Sequence, residues 1–170
     1  MALTHRLDIM WSPWRMAYIT SEGPSPDSDP PCVFCEHARG ADDRASYILH
    51  RGAHSFVILN LYPYNNGHLM VVPYRHTDTL RALNADELSE MMALVQESQR
   101  VMEERMRPQG FNLGINQGSA AGAGIAQHLH LHLLPRWNGD TNFMPTLGGT
   151  RVMPQHLDDT YDLLLEGFRP

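Results

Sequence analysis

The chain has 170 residues, 42% of them hydrophobic and 19% charged, with a formal net charge of −6. That length suits one domain with a real buried core, and the composition is that of an ordinary globular protein. The negative charge argues against non-specific nucleic-acid binding, and no stretch approaches the ~20 apolar residues of a membrane helix.

The first residues, "MALTHRLDIMWSPWRMAYI", lack a continuous apolar run and a small-residue cleavage site. No secretory signal is expected there, and the expected compartment is the cytoplasm. Trp11, Trp14 and Tyr18 are too hydrophobic to leave in water, so this segment is expected to dock on the domain or on a second subunit. Residues 20–31, "TSEGPSPDSDPP", read as a linker. The chain is therefore divided into an aromatic segment with its linker over 1–31, a domain over 32–150 and a helical tail over 151–170.

Cys32 and Cys35, in "CVFC", are the chain's two cysteines, and no disulfide framework can be built from them. A redox pair would open a helix after a strand; here a Pro-rich linker precedes, and "VF" offers no clear helix start. A structural zinc with two Cys and two His from elsewhere is the favoured reading, with unligated structural cysteines as the alternative.

"SFVILN" at 55–60 and "HLMVVP" at 68–73 read as strands, and "LYPYNNG" between them carries turn chemistry. Asn84 followed by Glu87 predicts a helix N-cap with its capping partner. Leu88, Met91, Met92, Val95, Met102 and Met106 then recur at helical spacing until Pro108 and Gly110, with the methionines read as core filler. "FNLGIN" at 111–116 alternates like a strand, and the small-residue loop "QGSAAGAG" follows it. A short helix is predicted near 157–167. Strands joined by short turns around one long helix predict an antiparallel α+β sheet.

The chemistry concentrates in "GIAQHLHLHLLPRW", residues 124–137. On a strand, His128, His130 and His132 would share one face, while Leu129, Leu131 and Leu133 would face the core. Three imidazoles in register are an improbable accident of an amphipathic strand. One metal ion cannot take all three, because the first and third lie ~13 Å apart at the strand rise. The remaining reading is division of labour: one outer histidine structural, the middle one reactive, the other binding substrate. Three adjacent positive charges would repel, so at least one ring is expected to stay neutral.

"HLHLHLL" matches the pattern His-φ-His-φ-His-φ-φ, with φ apolar, and with "NNGHLMVVPYRH" upstream the chain resembles the histidine triad family over roughly residues 32–137. "MWSPWRMAYI", "CVFC", "NQGSAAGAGIAQHLHLHLLPRWNGDTNFMP" and "TRVMPQHLDDTYDLL" resemble its branch of bacterial dinucleoside polyphosphate phosphorylases and hydrolases, the diadenosine tetraphosphate phosphorylases above all. The resemblance implies an α+β fold with an antiparallel five-stranded sheet and two helices in each protomer of a homodimer. It implies that His130 attacks the α-phosphorus of a dinucleoside polyphosphate, and that water or inorganic phosphate resolves the nucleotidyl-histidine. By the same resemblance His68, His132 and Gln117 contact phosphates, Asn60 binds ribose, and Phe56 and Leu59 wall the base. It also assigns a structural zinc to Cys32, Cys35, His76 and His128, and no organic cofactor.

The residues themselves leave other uses open. Phe56 and Leu59 could be core, Asn60 a turn residue, and Gln117 part of a solvated loop. Many hydrolases of the family carry Gln four residues before the first triad histidine, and the phosphoramidase branch carries Ser three before. This chain has Gly124 and Ile125 there. Gly124 would widen the pocket for inorganic phosphate, which favours phosphorolysis to ADP and ATP over hydrolysis to AMP and ATP. A nucleoside phosphoramidate hydrolase and a non-enzymatic adenine-nucleotide sensor are the rival readings.

Overall fold

Five strands form one antiparallel sheet in the order β1-β2-β3-β5-β4. The structure is a computed structural model in which residues 31–141 and 153–169 are described. The chain divides into two units, Met1–Pro30 and Pro31–Pro170, and every described residue belongs to the second. The expectation that Trp11, Trp14 and Tyr18 dock lies outside the described residues.

The strands are β1 (Ile48–Arg51), β2 (Ser55–Leu59), β3 (Leu69–Pro73), β4 (Gly110–Ile115) and β5 (Leu131–Arg136). Among the described residues the helices are α1 (Val33–Arg39), α2 (Asp43–Ser46), α3 (Ala85–Met106) and α4 (Leu157–Phe168), with 3-10 turns at Leu80–Ala82 and Ser119–Ala121. The two long helices, α3 and α4, match the pair expected. The sheet has cover on both faces, so β2 and β3 are buried along their whole length and read as continuous apolar runs.

Alternation along each strand sorts the side chains into two cores. Val57, Leu59, Leu69, Val71, Leu129, Leu131 and Leu133 join Met91, Val95, Met102, Tyr161 and Leu164 beneath α3 and α4. Phe56, Ile58, Met70 and Val72 join Phe34 of α1 and Ile48 on the opposite face. The leucines of the histidine row thus fill the helix-side core as expected.

α3 begins with the full capping box, Asn84 Oδ1 accepting from Glu87 N–H and the Glu87 carboxylate accepting from Asn84 N–H. It ends where Arg107 turns left-handed, φ 50°, ahead of Pro108. Its buried stripe runs through Met91, Leu94, Val95, Val101 and Met102. Leu88 and Met92, expected in that stripe, are exposed; Met92 lies about 100° around the helix from Met91.

Three features depart from the sequence expectations. β1 is a four-residue edge strand, too short to show alternation. The cysteine pair opens a helix after all, with Cys32 as N-cap of α1. Seven residues carry no readable period, and α1 is held from outside: Arg51 donates to the carbonyls of His37, Ala38 and Gly40 at 3.1, 2.8 and 3.0 Å. Finally, the ladder of β5 starts only at Leu131, paired with Val71. His128 to His130 continue the alternation outside the ladder, with Leu129 N–H donating to Thr77 O at 2.6 Å.

α4 lies across α3 and β1, with the Tyr161 hydroxyl donating to Ile48 O at 3.1 Å and Arg44 paired with Asp162. Its approach to α3 depends on Gly167: a Cβ there would lie 2.5 Å from Cγ1 of buried Val101. Gly167→Ala should therefore destabilise the domain by about 1–3 kcal/mol through overpacking, outweighing the roughly 1 kcal/mol that alanine gains in helix propensity. Urea unfolding measures the sign, and a variant as stable as the parent would contradict the close crossing.

Candidate functional site

The row of histidines is buried. His68, His128, His130 and His132 are 0, 1, 4 and 6% exposed. A neutral imidazole carries one N–H donor and one acceptor nitrogen, so each partner fixes a tautomer. His130 Nδ1 lies 2.8 Å from the carbonyl of His128. A carbonyl can only accept, so Nδ1 holds the proton and Nε2 carries the lone pair. Among the described residues Nε2 of His130 has no hydrogen-bond partner.

A second chain of bonds fixes His132. The backbone N–H of Tyr64 and the Asn60 side-chain amide donate to His68 Nδ1 at 3.1 and 3.3 Å. His68 Nδ1 is therefore the acceptor, and Nε2–H donates to His132 Nδ1 at 2.8 Å. That leaves His132 with its proton on Nε2, a buried donor without a partner among the described residues. An unmet buried donor costs about 1–3 kcal/mol, so a ligand oxygen placed there would gain a strong bond. Tyr64 packs its ring on both His68 and His132, at 4.6 and 5.7 Å between centroids.

His128 faces the other way. Its Nε2–H donates to Pro73 O at 2.9 Å, which turns the Nδ1 lone pair toward the cysteines. Cys32 Sγ and Cys35 Sγ lie 3.2 and 3.6 Å from that nitrogen, and His76 Nδ1 lies 3.3 Å from Cys35 Sγ. All four donor atoms lie within 4.8 Å of one another. Zinc bonds of about 2.3 Å to sulfur and 2.0–2.1 Å to nitrogen put tetrahedral ligand atoms about 3.3–3.8 Å apart. The set fits such an ion in donor chemistry and spacing, and the Pro73 carbonyl is the outer partner that orients a ligating histidine.

Burial controls the protonation. It lowers the pKa of His128, His130 and His132, and His132, with His130 alongside, falls to about 4. All three rings are neutral at pH 7, beyond the one that the sequence argument required. Burial and the neighbouring Cys32 sulfur push the Cys35 thiol up, a direction that a bound cation reverses.

The other expected residues scatter. Phe56 lies on the histidine face, fully buried and packed on Tyr74 at 5.4 Å. Leu59, three residues on, faces the opposite way and sits in the helix-side core. A separation of three on a strand makes that outcome unavoidable. Asn60 is half-buried beside His68, its Oδ1 accepting from Tyr62 N–H at 2.9 Å. Gln117 is exposed and accepts from Leu80 N–H at 3.2 Å. Gly124 is exposed. Phe34, which sequence reasoning passed over as a spacer between the cysteines, contacts His128 and His130 directly.

A family model described as the HIT domain matches residues 43–139. A Mycobacterium tuberculosis protein named "AP-4-A phosphorylase" is 43% identical over 163 residues, 94% of this chain and 83% of that protein. Among solved structures, a zinc-bound histidine triad family protein from Mycobacterium smegmatis is similar with a TM-score of 0.66 and 30% identity, covering 81% of this chain and 92% of that one. A hypothetical histidine triad nucleotide-binding protein from Sulfolobus tokodaii is similar with a TM-score of 0.62 and 26% identity, covering 80% and 88%.

The lowered pKa of His132 has a consequence for stability. Below about pH 6.5 the unfolded chain takes up a proton on this residue that the folded chain refuses until about pH 4. Stability present above pH 6.5 should decline as the pH falls through that window. His132→Asn removes this contribution, so its urea midpoint should drop less than the parent's between pH 7 and pH 5. Equal drops would show that His132 is not held neutral.

Proposed function

The chain belongs to the HIT domain family, and on that premise we propose that it cleaves dinucleoside polyphosphates at the α-phosphate through His130. The favoured reaction is phosphorolysis of diadenosine tetraphosphate to ADP and ATP. The observation that carries this reading is the tautomer of His130: a neutral, buried ring with Nδ1–H bonded to His128 O and the Nε2 lone pair free. That is the protonation state a nitrogen nucleophile needs near pH 7.

In this reading Nε2 forms a bond to the α-phosphorus while the bond from phosphorus to the bridging oxygen breaks, and the electron pair leaves with ATP. The substituted imidazole becomes cationic, and its Nδ1–H already points at the His128 carbonyl, which stabilises that charge. His132 Nε2–H, the unmet donor, is the group offered to a phosphoryl oxygen. His68 acts through His132, since both of its ring nitrogens are bonded inside the protein. Inorganic phosphate then attacks the nucleotidyl-histidine, releasing ADP and restoring His130. The exposed, side-chain-free Gly124 supports phosphate as the acceptor, and the name of the 43% identical relative supports the same reaction.

We keep Phe56 and Asn60 on the nucleoside side of the site and Gln117 on the phosphate side; Leu59 serves as core. Cys32, Cys35, His76 and His128 would hold a structural zinc, which supplies a cross-link and no Lewis-acid chemistry. A homodimer is also part of the proposal, supported by the free edge of β4 and its exposed Leu113. No helix among the described residues is long and apolar enough to cross a membrane, and we assign the enzyme to the cytoplasm.

Product analysis on diadenosine tetraphosphate, with and without inorganic phosphate, tests the reaction. ADP and ATP should form only with phosphate, and His130→Asn should lose turnover by at least about a thousand-fold. AMP and ATP regardless of phosphate would make the protein a hydrolase, and cleavage of an adenosine phosphoramidate alone would select that rival. Metal analysis should find one zinc per chain, lost together with thermal stability in the doubly substituted Cys32→Ser, Cys35→Ser protein. A zinc-free, fully stable preparation would overturn the metal assignment.

A further inference from the structure

Phe34 lies between the two cysteines, and its ring is 2% exposed. Its centroid is 5.2 Å from that of His130 and 5.4 Å from that of His128. No other described aromatic ring touches both. The helix that carries Phe34 is too short to hold itself: one of seven residues is marginal in water. It is tied at both ends instead. At the first turn, Cys32 and Cys35 sit against His128 and His76; at the last, Arg51 gathers three carbonyls. The position of the Phe34 ring is therefore set by bonds made by its neighbours, and not only by its own packing.

His130 needs such a support. Its hydrogen bond to His128 O fixes one ring atom and the tautomer. One bond leaves the ring free to swing about the Nδ1 contact, and Nε2 lies at the far side of the ring. The swing is limited by what flanks the ring, which is Phe34 on α1 and His132, 4.7 Å away at 78°. His132 is itself fixed through His68, so Phe34 is the flank whose position depends on the cysteine-anchored helix.

We infer that Phe34 is a positioning residue for His130, passing the rigidity of the cysteine-tied helix to the ring so that Nε2 stays in line with the phosphorus. The inference rests on the reading that His130 is the nucleophile. It separates two jobs for "CVFC": the cysteines tie the helix, and the phenylalanine uses that tie.

Phe34→Leu tests it in the full-length, zinc-loaded protein, because leucine keeps apolar bulk but gives up the planar ring. The expected result is a fall in kcat of about 10- to 100-fold, the scale of a misplaced nucleophile, with KM changed by no more than about threefold. Formation of the nucleotidyl-enzyme in a single turnover should slow by the same factor, while zinc content stays at the parent level. The imidazole nitrogen spectrum should show the sharp Nδ1–H signature of His130 in the parent and a broadened, averaged one in the variant. Ile48→Ala is the control: it opens a hole in the same apolar cluster, three strands from β5, and should leave kcat within about twofold. Should Phe34→Leu fail to fold, Phe34→Met carries the same expectation with a fuller side chain.

A kcat within twofold of the parent, an effect confined to KM, or equal losses in Phe34→Leu and Ile48→Ala would each overturn the inference and leave Phe34 as filler. Failure of the underlying reading looks different: His130→Asn would then keep turning over and would still form the covalent adduct.

Discussion

A neutral imidazole has one donor and one acceptor, and burial forces both to be accounted for. That constraint organises the site. His128 donates from Nε2–H to Pro73 O and turns its Nδ1 lone pair toward the cysteines. His130 donates from Nδ1–H to the carbonyl of His128, two residues back along the chain, and keeps its lone pair on Nε2. His132 accepts at Nδ1 from His68 Nε2–H and is left with its own Nε2–H to donate. Three identical side chains, two residues apart, thereby present a metal-type donor atom, a nitrogen lone pair and a hydrogen-bond donor. The difference between them lies wholly in what each bonds to from behind.

The sheet makes this arrangement stable. Leu129, Leu131 and Leu133 alternate with the histidines and lie in the helix-side core, so the strand cannot slip by one residue without turning leucines out and histidines in. Burying one leucine side chain contributes about 1.5–3 kcal/mol, comparable with the roughly 1–3 kcal/mol cost of an unmet buried donor such as His132 Nε2. A single buried neighbour can thus offset the polar defect that ligand binding would relieve. α3 and α4 serve the site through this core. They hold the leucine face in register, and the register holds the histidine face.

Much of this was legible because local sequence and global structure agree. The period of two at 128–133, the Asn84–Glu87 capping box and the CxxC spacing each state a local rule that the fold obeys. What was not legible depends on partners far along the chain. α1 has no period of its own and exists because Arg51 and the cysteine cluster hold it. β1 is four residues long. That His68 donates to His132 could not be read without knowing that the Tyr64 N–H points at its Nδ1. Leu59 is the instructive miss: it was paired with Phe56 by resemblance, yet a spacing of three on β2 sends the two to opposite cores.

The cysteine cluster joins segments that the chain separates widely: Cys32 and Cys35 at the head of α1, His76 just after β3, and His128 just before β5. The ladder between β3 and β5 stops at Val71 and Leu131, so beyond it the two strands are held together by the Leu129–Thr77 bond, the His128–Pro73 bond and this cluster. His130 sits at that unlaced end. A strand end without a ladder would ordinarily fray, and the proposed nucleophile would then be misplaced for most of its time. The cluster therefore closes the sheet where hydrogen-bond pairing runs out, and its ligand-type residue His128 lies two residues from His130. Seen this way, the metal-type site is not an accessory to the histidine row. It takes the place of the missing rungs, and the backbone carbonyl of the histidine it restrains, His128, is the one that fixes the tautomer of His130.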